Sequence, residues 1–350
     1  MFALLLAVMG MVWVYSATGT RAGFAFVVKQ GVSGLVGVAL MLAFSQIDLS
    51  GLRESPKTMI VLYVAFIVFL SAVFYFPAKN GAHRWIAYHG HQLQPSEFFK
   101  PFSVILTSWW MVKYTDSWIK RQETLPKLVA LFLILLVPLC IIFKEPDMGT
   151  TFLILFVSIL LVLLGGAPKW ILAVGAPILL VVGTYLVVSK PYRIQRVQSF
   201  LNPMVDAKGF GYQPEQSLIA VGNGGLYGVG LGAGQQKLNF LPEAHTDFIY
   251  AIIGEEVGLI GTSIVLILFV AVLWRGYRIA RRARDAFLRL CACGFTLILV
   301  AQALMNMSVV LSIVPNKGIP LPFISYGGSS LMASFMCLGL LLGISKETGS

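Results

Sequence analysis

The stretch "EAHTDFIYAIIGEE", residues 243 to 256, places Glu243, His245, Asp247, Glu255 and Glu256 at and inside the edge of an apolar run. A carboxylate at such an edge can take or orient a hydroxyl proton, or hold a hard divalent cation against phosphate oxygens. It can equally be a helix-start residue that complements the positive end of the helix, with Thr246 as the cap. Glu255 stands eight residues beyond Asp247, ~12 Å further along a helix axis and turned by about 80°. It cannot partner Asp247 there. Glycosidase-like pairs need carboxylates about 5–9.5 Å apart, so the adjacent Glu255 and Glu256 read as deep polar groups with structural partners.

Three further clusters carry chemistry-bearing residues. In "QPSEFFK", Glu97 and Lys100 are three residues apart and share one helical face, either as a self-neutralising pair or as cavity-lining groups. In "KEPDMGT", Pro146 suits a first helical turn and Asp147 complements the helix end, so capping alone explains both. In "PNKGIPLPFISYGGSS", Pro315, Pro320 and Pro322 forbid one continuous helix, and Ser325, Gly327, Gly328 and Ser329 lead into a helix whose first N–H groups form an anion site. Irregular backbone at membrane depth must be buried in protein or line an aqueous cavity. Arg193 and Arg196 add cations that can meet an anionic ligand or lipid headgroups.

The elements that position these residues follow from composition. Hydrophobic residues make up 57% of the 350 positions and charged residues 12%, with a mean hydropathy of +0.83. Soluble domains hold about 25% charged residues, so the chain reads as an all-α polytopic membrane protein. Apolar segments near the ~20 residues needed to cross hydrocarbon fall at 2–17, 24–44, 58–76, 98–114, 127–143, 151–166, 169–188, 247–274, 287–314 and 329–345, about ten transmembrane helices. The first lacks a basic leader and a small-residue cleavage site, and reads as a retained helix. The basic stretch "RGYRIARRARDAFLR", residues 275 to 289, belongs on the cytoplasmic side. With ten spans this places both termini inside, along with the basic loops holding Arg53, Lys57, Lys113, Lys120, Arg121 and Lys127. The loops 77–97, 144–150, 189–246 and 315–328 then face outward. Residues 1–350 form a single integral membrane domain, with 189–246 as a long extracytoplasmic loop between the seventh and eighth helices.

The net charge of +11 sits largely in short inner loops, where topology and anionic lipid account for it, so no nucleic-acid partner is expected. Cys140, Cys291, Cys293 and Cys337 all fall within spans and read as packing residues. "GNGGLYGVGLGAG", residues 222 to 234, has nucleotide-loop spacings but no strand before it and no βαβ context. It reads as flexible turns, with a lid over the outer site as the functional version.

The stretches "GAHRW", "LQPSEFFK", "EPDMGT", "GFGYQPEQSLIAVGNGGLYGVGLG", "FLPEAHTDFIYAIIGEEVGLIG" and "GIPLPFISYGGSS" run in this order through most of the chain, which on them resembles the SEDS family (shape, elongation, division and sporulation). "GIPLP" resembles its elongation branch, where the division branch often has "GLTLP". The resemblance implies a peptidoglycan glycosyltransferase that polymerises lipid II, an undecaprenyl-pyrophosphate-linked disaccharide peptide, at the outer face of the bacterial plasma membrane. It implies Asp247 as the essential aspartate and a class B penicillin-binding protein as the crosslinking partner. Lys100, Arg193, Arg196 and the Gly327–Ser330 helix start would face the pyrophosphate, with Glu97, Asp147, His245, Thr246 and Ser325 lining the site. A divalent cation, Mg²⁺ or Mn²⁺, is expected at the outward carboxylates, Asp247 first. A flippase for the same lipid and a noncatalytic scaffold are the alternatives.

Overall fold

A computed structural model describes residues 1–22, 24–78, 81–88, 91–115, 124–168, 211–238, 240–315 and 318–347, with scattered positions between 170 and 200. Its described helices are α1 (Phe2–Ala22), α2 (Ala25–Phe44), α3 (Ser50–Glu54), α4 (Pro56–Ser71), α5 (Pro95–Lys113), α6 (Thr124–Lys144), α7 (Met148–Leu164), α8 (Tyr212–Gly224), α9 (Ile249–Arg282), α10 (Ala286–Val310) and α11 (Gly328–Glu347). A hairpin pairs β1 (Ile86–Tyr88) with β2 (His91–Leu93). Nine of the ten expected spans coincide with these helices; the remaining one, 169–188, falls outside the described residues except for scattered positions. Among the described residues, seven helices are long and apolar enough to cross a membrane. The chain is therefore a helical, multi-pass membrane protein.

The chain forms two compact units. One comprises Lys29–Ala167, Val270–Ala301 and Gly327–Ser350, and α5 is its core. Nearly every residue from Pro95 to Met111 is buried, on all sides of the helix. A helix surrounded by protein need not be apolar, which is why α5 carries Ser96, Glu97, Lys100, Ser103, Thr107 and Ser108 and still sits at the centre. Close backbone approach tightens this unit: a Cβ on Gly37 would stand 2.6 Å from the Phe335 ring, and one on Gly294 2.4 Å from Val104. Cys291 and Cys337 are buried and Cys140 is exposed; none forms a disulfide. The basic stretch after Trp274 is not a loop as expected. Helix α9 continues through it to Arg282, leaving only residues 283–285 before α10.

The other unit comprises Met1–Val28, Pro168–Phe269 and Gln302–Tyr326. Its centre is a break in α9 at Gly258, where φ is +67° and ψ −159°. The carbonyls of Glu255 and Glu256, which a continuous helix would give to Leu259 and Ile260, instead accept from Val229 N–H and Gly230 N–H, both at 3.0 Å. The N–H groups of Leu259 and Ile260 turn to the carbonyls of Gly225 and Leu226, at 2.9 and 3.3 Å. The glycine run is therefore not a lid. It is the backbone partner of the broken helix, and it needs glycine because a Cβ on Gly228 would lie 2.1 Å from the Glu256 carbonyl oxygen and one on Gly224 1.9 Å from that of Gly254.

Glu255 and Glu256 complete this joint, as their reading as structurally partnered groups expects. Glu255 Oε1 accepts from the Gln235 and Gln236 amides at 2.9 and 3.3 Å. Glu256 Oε1 accepts from Ser16 Oγ of α1 and from Lys237 Nζ at 2.7 Å, and Lys237 also reaches Ser16 Oγ and the Gly232 carbonyl at 2.8 and 2.7 Å.

Candidate functional site

Asp247 lies two residues before α9 rather than at its first turn, and is half-buried. Thr246 does not cap the helix: its hydroxyl is within hydrogen-bond distance of the Glu243 carbonyl and Glu243 Oε2, at 3.1 and 3.2 Å, because the chain turns here before the helix begins. What holds this turn is a row of three main-chain carbonyls, each with its own donor. Tyr326 N–H donates to the His245 carbonyl at 2.9 Å, Ser325 Oγ to that of Thr246 at 2.6 Å, and Asn306 Nδ2 to that of Asp247 at 2.7 Å. Ser325 Oγ in turn accepts from Leu321 N–H at 2.8 Å.

The donors come from α10 and from the Pro-rich loop that follows it. Asn306 and Gln302, one turn apart on α10, donate to the Ile319 and Pro320 carbonyls of that loop at 2.7 and 2.9 Å. Thus the irregular backbone is satisfied by side-chain amides buried in protein, as membrane depth demands. Gly318, at φ +64°, faces Asp247: a Cβ there would lie 3.3 Å from Oδ2. Phe323, fully buried in the same loop, also adopts a positive φ of 65°, a conformation that a non-glycine residue holds only when its surroundings impose it. A Cβ on Gly10 of α1 would strike the Phe323 and Ile324 backbone at 2.7–2.8 Å, so α1 braces this turn from behind. His245 packs edge-on against Phe26, ring centroids 5.1 Å apart, and beside Tyr326 at 5.6 Å.

The remaining expected residues gather in the other unit. Asp147 caps α7, accepting from Thr150 N–H at 3.1 Å on Oδ1, and from Gln94 Nε2 and Ser96 Oγ at 2.9 and 3.3 Å on Oδ2. Pro146 falls before the helix, outside its first turn. Glu97 and Lys100 form a buried ion pair at 2.6 Å, the self-neutralising arrangement. Ser329 Oγ accepts from Gln94 N–H at 2.9 Å and lies 3.3 Å from the Gln92 carbonyl, pinning the hairpin end to α11. The Gly327 N–H, expected to be free for an anion, donates to Gln30 Oε1 at 3.3 Å. Arg193, Arg196 and Lys317 lie outside the described residues.

Sequence reading did not single out Asn306, Gln302, Gln30 or Gln94. The signal for the first two was present in "AQALMNMSVV": two amides four residues apart in an apolar span must find partners. Among the described residues no group of three or more His, Cys, Asp or Glu side chains could hold a metal ion. A hard cation such as Mg²⁺ is compatible with a single carboxylate when phosphate and water supply its other oxygens. Asp147 and Glu97 are engaged in the α7 cap and in the Lys100 ion pair.

A multi-pass helical chain with a broken helix, a Pro-rich loop and an aspartate turn defines the class of fold. The sequence model of the family described as "Cell cycle protein", the FtsW, RodA and SpoVE proteins, matches residues 1–350. A protein of Geobacter sulfurreducens named "Probable peptidoglycan glycosyltransferase FtsW" is 38% identical over 358 residues, covering 99% of this chain and 94% of the relative. "Stage V sporulation protein E" of Bacillus subtilis is 37% identical over 350 residues, covering 98% and 94%. Among solved structures, one described as "Structural coordination of polymerization and crosslinking by a peptidoglycan synthase complex" superposes with a TM-score of 0.80 at 25% identity, covering 99% of this chain and 96% of the other. The rod shape determining protein RodA of Thermus thermophilus superposes with a TM-score of 0.71 at 24% identity, covering 100% and 96%. The chain belongs to the FtsW/RodA/SpoVE family, the SEDS proteins.

Proposed function

We propose that this protein is a peptidoglycan glycosyltransferase that polymerises lipid II at the outer face of the bacterial plasma membrane, with both termini cytoplasmic. The observation that carries the reading is the Asp247 turn: a half-buried carboxylate beside the Gly318 backbone, on a main chain fixed at three consecutive carbonyls. Such a group is preorganised, and holding reactants in register can contribute about 7–11 kcal/mol to a transfer barrier. The relatives named as peptidoglycan glycosyltransferases support the activity across nearly the whole chain.

In this reading Asp247 accepts the hydrogen bond of the attacking sugar hydroxyl. As the hydroxyl oxygen bonds to the anomeric carbon of the lipid-linked donor, its proton passes to the carboxylate, and the bond from that carbon to the pyrophosphate breaks with its electron pair on the leaving group. A divalent cation at Asp247 would neutralise the pyrophosphate charge when bound. His245, Thr246 and Ser325 beside Asp247 are the proposed substrate-binding residues of this unit; Glu97, Lys100, Asp147, Gly327, Gly328 and Ser329 belong to the other unit, and Arg193 and Arg196 lie outside the described residues. A class B penicillin-binding protein supplies crosslinking in trans, consistent with the synthase complex among the superposing structures.

The "GIPLP" stretch supports a role in elongation and cell shape, while relatives named FtsW favour division as the second reading. The test is polymerisation of lipid II by the purified full chain, with and without its partner. Asp247→Asn keeps size and removes charge and basicity, so it is expected to abolish polymer while leaving insertion and partner binding intact. Polymer at the wild-type rate from the Asn variant overturns the assignment. Lipid movement without polymer from the wild type supports a flippase, and neither supports a scaffold.

A further inference from the structure

We infer that Asn306 is a positioning residue for Asp247, setting the aspartate turn against the Pro-rich loop by donating one hydrogen bond to each. The inference rests on the proposed glycosyltransferase reading for its kinetic consequence, but its structural content is independent of it.

The geometry fixes the amide's orientation. Nδ2 lies 2.7 Å from two carbonyl oxygens, those of Asp247 and Ile319. A flipped amide would set its own oxygen against both, so both hydrogens must point at carbonyls. The side chain is 1% exposed, and its Oδ1 is buried without a hydrogen-bond partner. A buried acceptor left unmet costs free energy. The amide covers two main-chain carbonyls at the cost of that one oxygen, so it ties the two segments together as well as satisfying them. What the amide supplies is a two-pronged spacer between residue 247, which carries the carboxylate, and residue 319, next to the glycine whose Cα faces that carboxylate. Ser325 and Tyr326 secure the neighbouring carbonyls from the far end of the same loop. Asn306 alone among these donors touches the Asp247 main chain and the Gly318 side of the loop together.

Gln302 provides the comparison. It donates to the next carbonyl of the loop, Pro320. The experiment uses the purified full chain with its partner and lipid II, comparing wild type, N306D, N306S and Q302L. N306D turns both donors into acceptors without changing size. N306S keeps a single donor and introduces no charge, so it decides the question where N306D does not fold. A misplacement of about 1 Å costs roughly 100-fold in rate. We expect kcat to fall by that order in N306D and N306S with KM for lipid II nearly unchanged, and Q302L to stay near wild type. The ratio of N306D to wild-type rate should rise on acidification, because the protonated new carboxyl regains one donor. Hydrogen exchange supplies an activity-independent arm: the Thr246 and Tyr326 amides should exchange faster in N306S and not in Q302L. Equal losses in Q302L and N306S, a change confined to KM, or unchanged exchange and rate in N306S would each overturn the inference. If wild type makes no polymer, the glycosyltransferase reading fails and exchange alone decides the positioning role.

Discussion

Replacing Lys237 by Met tests the joint that seals the broken helix. The Lys237 and Glu256 side chains are 4% and 0% exposed, so solvent screening does little to weaken their pairing or to relieve its loss. Lys237 gives its three hydrogens to Ser16 Oγ, the Gly232 carbonyl and Glu256 Oε1. Without it, Glu256 keeps only the Ser16 hydroxyl and Gly232 loses its donor. Removing one partner of a buried pair costs about 3–5 kcal/mol. At roughly 2 °C per kcal/mol for a chain of this size, that lowers the apparent Tm by about 6–10 °C. Glu256→Gln is expected to cost a similar amount by stranding the ammonium. The double variant leaves no buried charge and one uncovered carbonyl, a loss of about 1–3 kcal/mol, so it should be more stable than either single variant. The measurement is soluble full chain remaining after heating in detergent, followed by size-exclusion chromatography. Single variants within about 1 kcal/mol of wild type, or a double variant that merely sums the two losses, would refute the buried-pair reasoning.

Gly228 and Gly232 both have a left-handed φ, of 79° and 81°, but a Cβ on Gly228 would lie 2.1 Å from the Glu256 carbonyl oxygen while one on Gly232 meets open space, so Gly228→Ala should reduce folded protein more than Gly232→Ala; expression and apparent Tm check this. Gly10→Val should displace the Phe323–Ile324 turn and lower polymerisation while α1 still inserts, as read by lipid II assay and membrane fractionation. Glu145, between α6 and α7, is fully buried with both carboxylate oxygens unpartnered, and burial first, then the Asp147 carboxylate, pushes its pKa up to about 9 from an ordinary 4.5. A raised carboxyl pKa means the folded state holds the proton more tightly, so stability falls as pH rises from about 4.5 to about 9. Glu145→Gln should flatten that decline in pH-dependent melting, and an unchanged slope would show that Glu145 does not cause it. Exhaustive chelation should slow polymerisation partially, with Mg²⁺ or Mn²⁺ restoring it; full activity after chelation removes the cation from the mechanism.

The membrane spans were legible because hydrocarbon imposes a length and a polarity on every segment that crosses it. Ser50–Glu54 and the β1–β2 hairpin were not, since short polar elements follow tertiary contacts rather than periodicity. The same limit hid the break in α9. "EEVGLIG" sits in an apolar run, and one glycine within a helix is an ordinary occurrence; what makes Gly258 a break is a backbone exchange with residues some thirty positions earlier. At the site, residue type pointed to Asp247, but nothing near it in the chain showed what would hold it. Its anchors stand about sixty and eighty residues away, at Asn306 and Ser325. Thr246 was assigned to the helix because local capping rules cannot anticipate a turn held by distant donors.

The broken helix also accounts for two glutamates inside an apolar span. From Leu259 to Trp274 α9 is free of Arg and Lys, 16 residues or about 24 Å at 1.5 Å per residue. That length is shorter than a ~30 Å hydrocarbon layer, so with Trp274 at one edge of the layer Gly258 stands within it. A backbone break at that depth exposes two carbonyls and two N–H groups that lipid cannot satisfy. Residues 225–230 supply the complementary groups, but a glycine-rich segment has few side chains with which to hold its own place. Glu255 and Glu256 hold it by gripping the amides of Gln235 and Gln236 and the Lys237 ammonium. The short piece of α9 from Ile249 to Val257 is then fixed at its C-terminal end by this joint. The turn preceding it is fixed by Asn306, Ser325 and Tyr326. Asp247 therefore owes its placement to a helix fragment with little freedom to rotate, which is what a carboxylate that must meet one hydroxyl in one orientation requires.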